Sequence, residues 1–188
     1  MLASLLAAAL LTAAAPAPLD VVKSGNESVQ KLVSKKDASV AQLSQVVERF
    51  VDFGELARRA LGPQWDKLTA AQRQEFSTEM VALLRANYAK KALDMGRTQV
   101  GYGEQSIQGN EASVATRVYV NRDRFPIQYK LFRSGAKAEW RIYDVVADGH
   151  SMLEGYQEQF RKLMATKGFD GLMATLKSKR AQLERSTR

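Results

Sequence analysis

"TQVGYGEQSIQGNEASVATRVYV", Thr98–Val120, decides the architecture. In its second half Val114, Thr116, Val118 and Val120 share one parity and Ala115, Arg117 and Tyr119 the other. A period of two belongs to a strand, whose successive side chains point to opposite faces. "QGNE", Gln108–Glu111, supplies a polar turn before it. The alternation returns in "FPIQYKLFRS" (Phe125–Ser134) and "EWRIYDVVA" (Glu139–Ala147), with turns expected at "NRDR" (Asn121–Arg124) and "SGAK" (Ser134–Lys137). Connections this short join antiparallel neighbours, so the pattern predicts a four-stranded meander. In the last strand Trp140, Ile142, Asp144 and Val146 oppose Arg141, Tyr143 and Val145. Both faces carry apolar groups, which calls for helices on at least one of them. Gly101 and Gly103 mark a bend or bulge where the sheet curls.

Outward from the strands the period lengthens. Before them, Val40, Leu43, Val46, Val47 and Phe50 recur at helical spacing, and a short helix follows from Asp52, with Glu55 completing a capping box, to Leu61. Gly62 and Pro63 end it, as expected of a helix C-terminus. Thr69 and Gln72 form a second box opening a long helix, whose apolar stripe runs Phe76, Met80, Leu83, Leu84, Tyr88, Ala92, Met95. After the strands Met152, Tyr156, Phe160, Leu163 and Met164 predict another helix; "GFDGLMATL" punctuates it and opens a last one leading into a basic tail. The class is α+β, a curled four-stranded antiparallel sheet wrapped by N- and C-terminal helices.

The first residues are a separate object. "LASLLAAALLTAAAPAPLD", Leu2–Asp20, is an apolar run with small residues at Ala13/Ala15 or Ala15/Ala17, the pattern of a cleaved secretory leader and too short for a membrane span. Residues 1–17 are read as that leader and residues 18–188 as one domain. No basic segment precedes the run, which points to a start lying further upstream. The chain has 28 Lys and Arg against 20 acidic residues, and its leader carries none of them. An anionic partner is therefore expected, and export puts nucleic acid out of reach.

Asp144, Asp148, His150 and Ser151 crowd together, the one histidine of the chain among them. Ser151 stands three residues before Glu154 at the head of an apolar helical run, which makes it a helix cap; a nucleophilic serine needs an elbow motif and a base held in reach. Asp144 is expected to pair with a basic residue of a neighbouring strand such as Arg141 or Arg117. A single histidine without cysteines makes no recognised metal-ligand set, and no phosphate-binding glycine motif occurs. No catalytic group, metal or cofactor is expected.

A surplus of bulky residues on the long helix and the sheet suits either a filled core or the wall of a cavity. "DFGELARRALGPQW", Asp52–Trp65, resembles the opening signature of the MlaC-type family, periplasmic phospholipid carriers also known as toluene-tolerance auxiliary proteins of ABC transporters, with Asp52, Phe53, Ala57, Leu61, Gly62 and Trp65 in place. "LTAAQRQEF" and "LLRANYAKKAL" are similar to the family's long helix. "WRIYDVVADGHSMLEGYQEQF" is similar to its final strand and next helix, and "KGFDGLMATLK" to its C-terminal element. The likeness runs from about Asp20 to Lys177. Two departures stand out: Gln157 follows Tyr156 where relatives often carry Arg, and His150 takes a position where an aliphatic residue is common.

The resemblance implies a monomeric periplasmic carrier with an apolar lipid cavity. Such a carrier shuttles phospholipid between an outer-membrane lipoprotein complex and an inner-membrane ABC transporter bearing an MCE-domain ring, and so maintains outer-membrane lipid asymmetry. Another envelope lipid such as a hopanoid, or a cone-shaped α+β enzyme acting on a hydrophobic substrate, stays open as an alternative. Helical and alternating spacing nominate Leu84, Tyr88, Val118, Tyr129, Trp140 and Ile142 as lipid-binding residues, and Arg58 with Arg59 as part of an electrostatic docking rim.

Overall fold

Three strands of ten residues, β1 (Gln99–Gln108), β2 (Glu111–Val120) and β3 (Asp123–Phe132), run antiparallel and continue into β4 (Arg141–Ala147) and a two-residue β5 (His150–Ser151), in the order β1-β2-β3-β4-β5. The computed structural model describes residues 15–120 and 123–186. The expected leader lies, up to residue 14, outside the described residues, as do Asn121 and Arg122 of the second predicted turn. The meander is as expected; the fifth strand is additional. It arises because Asp148 and Gly149 both take positive φ, turning the chain back so that Val146 pairs with Ser151 and Ala147 with His150 before the helix begins. The expected "SGAK" turn is part of a longer link between Phe132 and Arg141, fastened by the Arg133 N–H donating to Asn110 O at 3.0 Å. The bulge predicted by the glycines falls between Tyr102 and Gln105, and a second interrupts β3 and β4 after Lys130.

Before the sheet come α1 (Pro18–Val33), α2 (Val40–Val47), α3 (Phe53–Leu61), a 3₁₀ turn (Gly62–Lys67) and α4 (Ala70–Met95); after it comes α5 (Met152–Ser186). Thr69 and Gln72 form the reciprocal capping box at the head of α4, and Ser39 with Gln42 does the same for α2. At α3 half a box exists: Asp52 accepts from the Glu55 N–H, while the Glu55 carboxylate turns to Arg58 and Arg59. Within α5 the chain breaks at Gly168 (φ 64°, ψ −168°), where "GFDG" predicted a boundary. Among the described residues no helix is long and apolar enough to cross a membrane.

α1 was not foreseen. "SGNES", Ser24–Ser28, lies inside the helix. The glycine is there for space: a Cβ on Gly25 would sit 2.9 Å from the Phe50 ring, so the bare backbone lets α1 press onto the α2–α3 junction. Gln30 and Thr98 exchange two hydrogen bonds (2.9 and 3.0 Å), and the Leu19 N–H donates to Gln105 Oε1 at 2.9 Å, laying α1 along β1 in the opposite direction.

The helices cover one face of the sheet. Aromatic rings step through the interior edge to face, Trp65 to Phe76 (6.4 Å between centroids) and Phe76 to Phe160 (5.7 Å), and Tyr156 stacks on Phe160 at 5.7 Å. Phe76, Phe160, Leu56, Met80, Leu84 and Leu131 are fully buried. Each such side chain contributes about 1.5–3 kcal/mol of burial free energy. At the α2–α3 junction, Val51 bridges to Ile142, and the Arg141 guanidinium donates to Glu48 O (2.7 Å) and Val51 O (2.9 Å), binding the helical layer to β4.

Candidate functional site

Register places the helix-facing residues of the sheet in four cross-strand rows. From one end they are Ala112 with Leu131 and Ile142, Val114 with Tyr129 and Val145, Thr116 with Tyr102, Ile127 and Ala147, and Val118 with Val100 and Phe125. Along β3 burial falls off through these rows: Leu131 is fully buried, Tyr129 and Ile127 are half-buried, and Phe125 is 44% exposed. The end that opens is the one next to the C-terminus of α4, where Met95 is 53% exposed. Burial on β3 thus falls from the Leu131 end to the Phe125 end, whereas on β2 Ala112, Val114, Thr116 and Val118 are all buried. The half-open part of the interior is bordered by Tyr88 of α4, Tyr156 of α5 and Tyr102 and Tyr129 of the sheet, all half-buried and packed on the main core.

Polar groups in this part are poorly served. The Tyr88 hydroxyl is buried and has no hydrogen-bond partner among the described residues, and the same holds for Asn26 Nδ2 on α1. The Tyr129 hydroxyl donates to Asn26 Oδ1 over a long 3.4 Å. Burial, then the charges around Tyr156, Asp144 and Tyr129, push the Tyr88 phenol well above its ordinary range. Burial likewise raises Tyr129, against a smaller opposite effect of its bond to Asn26. Both phenols are therefore protonated donors at neutral pH.

The nominated residues divide between the two ends. Tyr88 and Tyr129 both pack, half-buried, on the main core, Leu84 is one turn before Tyr88 and fully buried, and Val118, itself buried, pairs with Val100 and the exposed Phe125 in the outermost row. Trp140 and Ile142 lie at the closed end, buried; Arg133 covers the Trp140 ring at 4.6 Å, and the Ile142 N–H donates to Phe50 O at 2.8 Å. Asn26 escaped sequence reasoning because α1 did. A stripe of Val22, Gly25, Val29 and Leu32 at spacings of three and four was the available signal, with the glycine hiding it.

The Asp144 cluster is a structural joint. Asp144 has no exposure and accepts from the Ser151 hydroxyl (2.6 Å) and the Leu153 N–H (3.0 Å). Its cationic partner is Lys130 at 3.4 Å, directly across the β3–β4 ladder, rather than Arg141 or Arg117. Arg141 is engaged by the α2–α3 junction and Arg117 points to the solvent side. Ser151 accepts from the Glu154 N–H at 3.0 Å, the cap expected of it. His150 is exposed, its Nδ1 2.9 Å from Asp148 O.

Arg59 is not a free docking charge. It pairs with Glu55 and Glu111, each at 2.7 Å, and its guanidinium lies 3.8 Å from the centre of the Tyr143 ring. On the opposite, solvent side of the sheet a cleft of about 740 Å³ lies over Gly101, Gly103, Ala115, Arg117, Tyr119 and Gln128. No helix residue contributes to it.

Comparison with known proteins gives one consistent result. The family described as MlaC protein matches residues 19–178. The chain is 26% identical over 187 residues to the toluene tolerance protein ttg2D of Pseudomonas putida, covering 90% of this chain and 83% of that one. It is 23% identical over 137 residues to the intermembrane phospholipid transport system binding protein MlaC of Haemophilus influenzae, covering 71% and 64%. Its fold matches that of a phospholipid-binding protein from Ralstonia solanacearum, solved in complex with a phospholipid, with a TM-score of 0.78, 22% identity and coverage of 88% of this chain and 98% of the other.

Proposed function

The chain belongs to the MlaC protein family, and from that premise we propose that it is a periplasmic carrier that takes phospholipid by its acyl chains. The carrier passes it between an outer-membrane lipoprotein complex and an inner-membrane MCE-domain ABC transporter, so maintaining outer-membrane lipid asymmetry. It works as a monomer of one domain, residues 18–188, after loss of the leader, and carries out no chemistry on its cargo. The observation that supports this best is the graded inner face, filled at the Ile142 end and loosening to half-buried aromatics and an exposed Phe125 at the other. It occurs in a fold that a relative uses to hold a phospholipid.

The energetics favour a carrier of this form. A diacyl lipid exposes about thirty methylenes, and leaving them in water would cost roughly 25 kcal/mol at about 0.8 kcal/mol each. Crossing an aqueous gap therefore needs an apolar interior able to part around the tails. A bilayer solvates the same tails equally well, so unloading needs no chemical step, only docking. The charged headgroup stays at the open end, in water. The test is native mass spectrometry of the mature protein purified from bacterial envelope, followed by transfer from labelled vesicles after delipidation. Co-purified phospholipid and reloading are expected; a protein that is lipid-free when isolated and takes none from vesicles would overturn the reading.

A further inference from the structure

The unpartnered polar groups inside the half-open region are out of place in a purely apolar tail pocket. A buried donor without an acceptor costs about 1–3 kcal/mol, and apolar replacements of the same shape would remove that cost. Here Tyr88 presents a buried hydroxyl and Asn26 a buried amide nitrogen, both without partners among the described residues. Between them Tyr129 holds only a stretched 3.4 Å bond. They come from α4, α1 and β3, three elements that meet only in the folded protein.

The set is rich in donors and poor in acceptors. Its unpartnered donors, the Tyr88 hydroxyl and the Asn26 amide, are satisfied by a ligand group that accepts hydrogen bonds. A phosphate answers that description but is charged, and burying an anion costs several kcal/mol unless a cation is supplied. None of these three residues is a cation; Lys130, next to Tyr129 on β3, is engaged by Asp144 at 3.4 Å, and Lys23 of α1 lies over the Tyr102 ring at 5.6 Å. An ester carbonyl is neutral, accepts two hydrogen bonds and donates none. In a diacyl lipid it sits where the tails leave the glycerol, at the boundary between buried chains and exposed headgroup.

Resting on the carrier reading above, we propose that Tyr88, Asn26 and Tyr129 form a subsite for the ester carbonyls of diacyl lipids, so that the protein selects ester-linked cargo over lipids whose chains lack a carbonyl at that position. Tails supply affinity without discrimination, because one saturated chain resembles another. The carbonyl supplies the selectivity, because a lipid without it leaves the donors unsatisfied, the asymmetry by which polar sites reject analogues. A polycyclic hydrocarbon lipid such as a hopanoid is disfavoured on the same ground.

The experiment offers delipidated protein an equimolar mixture of a diacyl phosphatidylglycerol and its dialkyl ether analogue, with identical chain lengths and headgroup, in mixed vesicles. The bound ratio is read by native mass spectrometry. Wild type is expected to favour the ester form by roughly fivefold to tenfold, the effect of about one recovered hydrogen bond. Tyr88→Phe and, independently, Asn26→Leu should bring the ratio toward parity while still loading lipid. Tyr88→Phe keeps the ring that packs edge-on to Phe53 at 5.5 Å, so its fold is preserved. Equal uptake of both lipids by wild type overturns the subsite and leaves the carrier standing. An ester preference that survives both substitutions overturns the assignment to these residues. Uptake of neither lipid overturns the carrier reading and the subsite together.

Discussion

Replacing Asp144 by Ala takes an acceptor away from the Ser151 hydroxyl, the Leu153 N–H and Lys130 at once. The loss should destabilise the fold by about 2–4 kcal/mol, since it leaves buried donors unsatisfied. Ser151→Ala removes a helix cap and one bond to a carboxylate, for about 1–2 kcal/mol. Urea unfolding followed by circular dichroism checks both, and lipid uptake by the folded fraction should be retained; selective loss of uptake at unchanged stability would return the cluster to a functional role. Val118 and Leu84 are both buried, but Val118 lies in the outermost row beside the exposed Phe125 while Leu84 has no exposure. Val118→Trp should fold and carry at most half the wild-type lipid. Leu84→Trp overpacks a site with no exposure and should cost about 1–3 kcal/mol before any effect on cargo can be read. Glu55 contributes to the acid response. Burial raises its pKa, but the bonds and charges of Arg58 and Arg59 together hold it below the ordinary range. Unfolded, it titrates near about 4.3, so the stabilisation is fully present above that value and disappears as pH falls through the lower folded value. Glu55→Gln should lose less stability than wild type between about pH 5 and about pH 3 in urea titrations.

Among the elements, α1 owes its close seat on Phe50 to a missing side chain at Gly25. Gly25→Val puts branched carbons into the Phe50 ring and should lift α1 from the α2–α3 junction. Faster release of a fluorescent lipid and a lower unfolding midpoint are expected. The contrast is Gly155→Ala in α5, where a Cβ meets nothing within 4 Å. There the substitution should stabilise by about 0.5–1 kcal/mol through helix propensity, with release unchanged. Equal effects at the two glycines would mean that α1 has no special hold on the interior. The kink at Gly168 divides α5 into a part that packs over β4 and a part that lies on α4, where Lys177 pairs with Glu75 and Arg180 with Glu79. One sequence element thus braces both layers.

At the scale of the whole molecule, 28 basic against 20 acidic residues must be separated into charges that hold the fold and charges that face partners. Arg59, Arg141 and Lys130 are of the first kind, bound to the acceptors described above, and so is Arg85, which pairs with Glu48. Lys91 and Arg97 are exposed near the end of α4 beside the open row, and fast transient docking favours such a charged rim over an apolar face. Charge reversal of both to Glu should slow lipid handover to transporter-containing vesicles several-fold at low salt and less at high salt, with co-purified lipid unchanged. Handover indifferent to both substitutions and to ionic strength would move the docking face elsewhere.

Period and punctuation carried most of the fold in the sequence. Alternation set the meander; the Thr69–Gln72 box and the Phe76-to-Met95 stripe set α4; and Gly62–Pro63 and the glycines of "GFDG" set two boundaries, all through interactions between residues a few positions apart. The family signature was legible for the same reason, as short motifs in a given order. What local pattern could not reach was decided by distant contacts. α1 runs through "SGNES" and seats its bare Gly25 on the distant Phe50 ring. Asp144 takes Lys130 as partner because the bulge after Lys130 sets that register. The candidate subsite exists only where α1, α4 and β3 converge: Tyr88 and Tyr129 could be named from spacing, but Asn26 is 103 residues from the tyrosine it meets, and a hydroxyl's lack of a partner is a property of the packed interior alone.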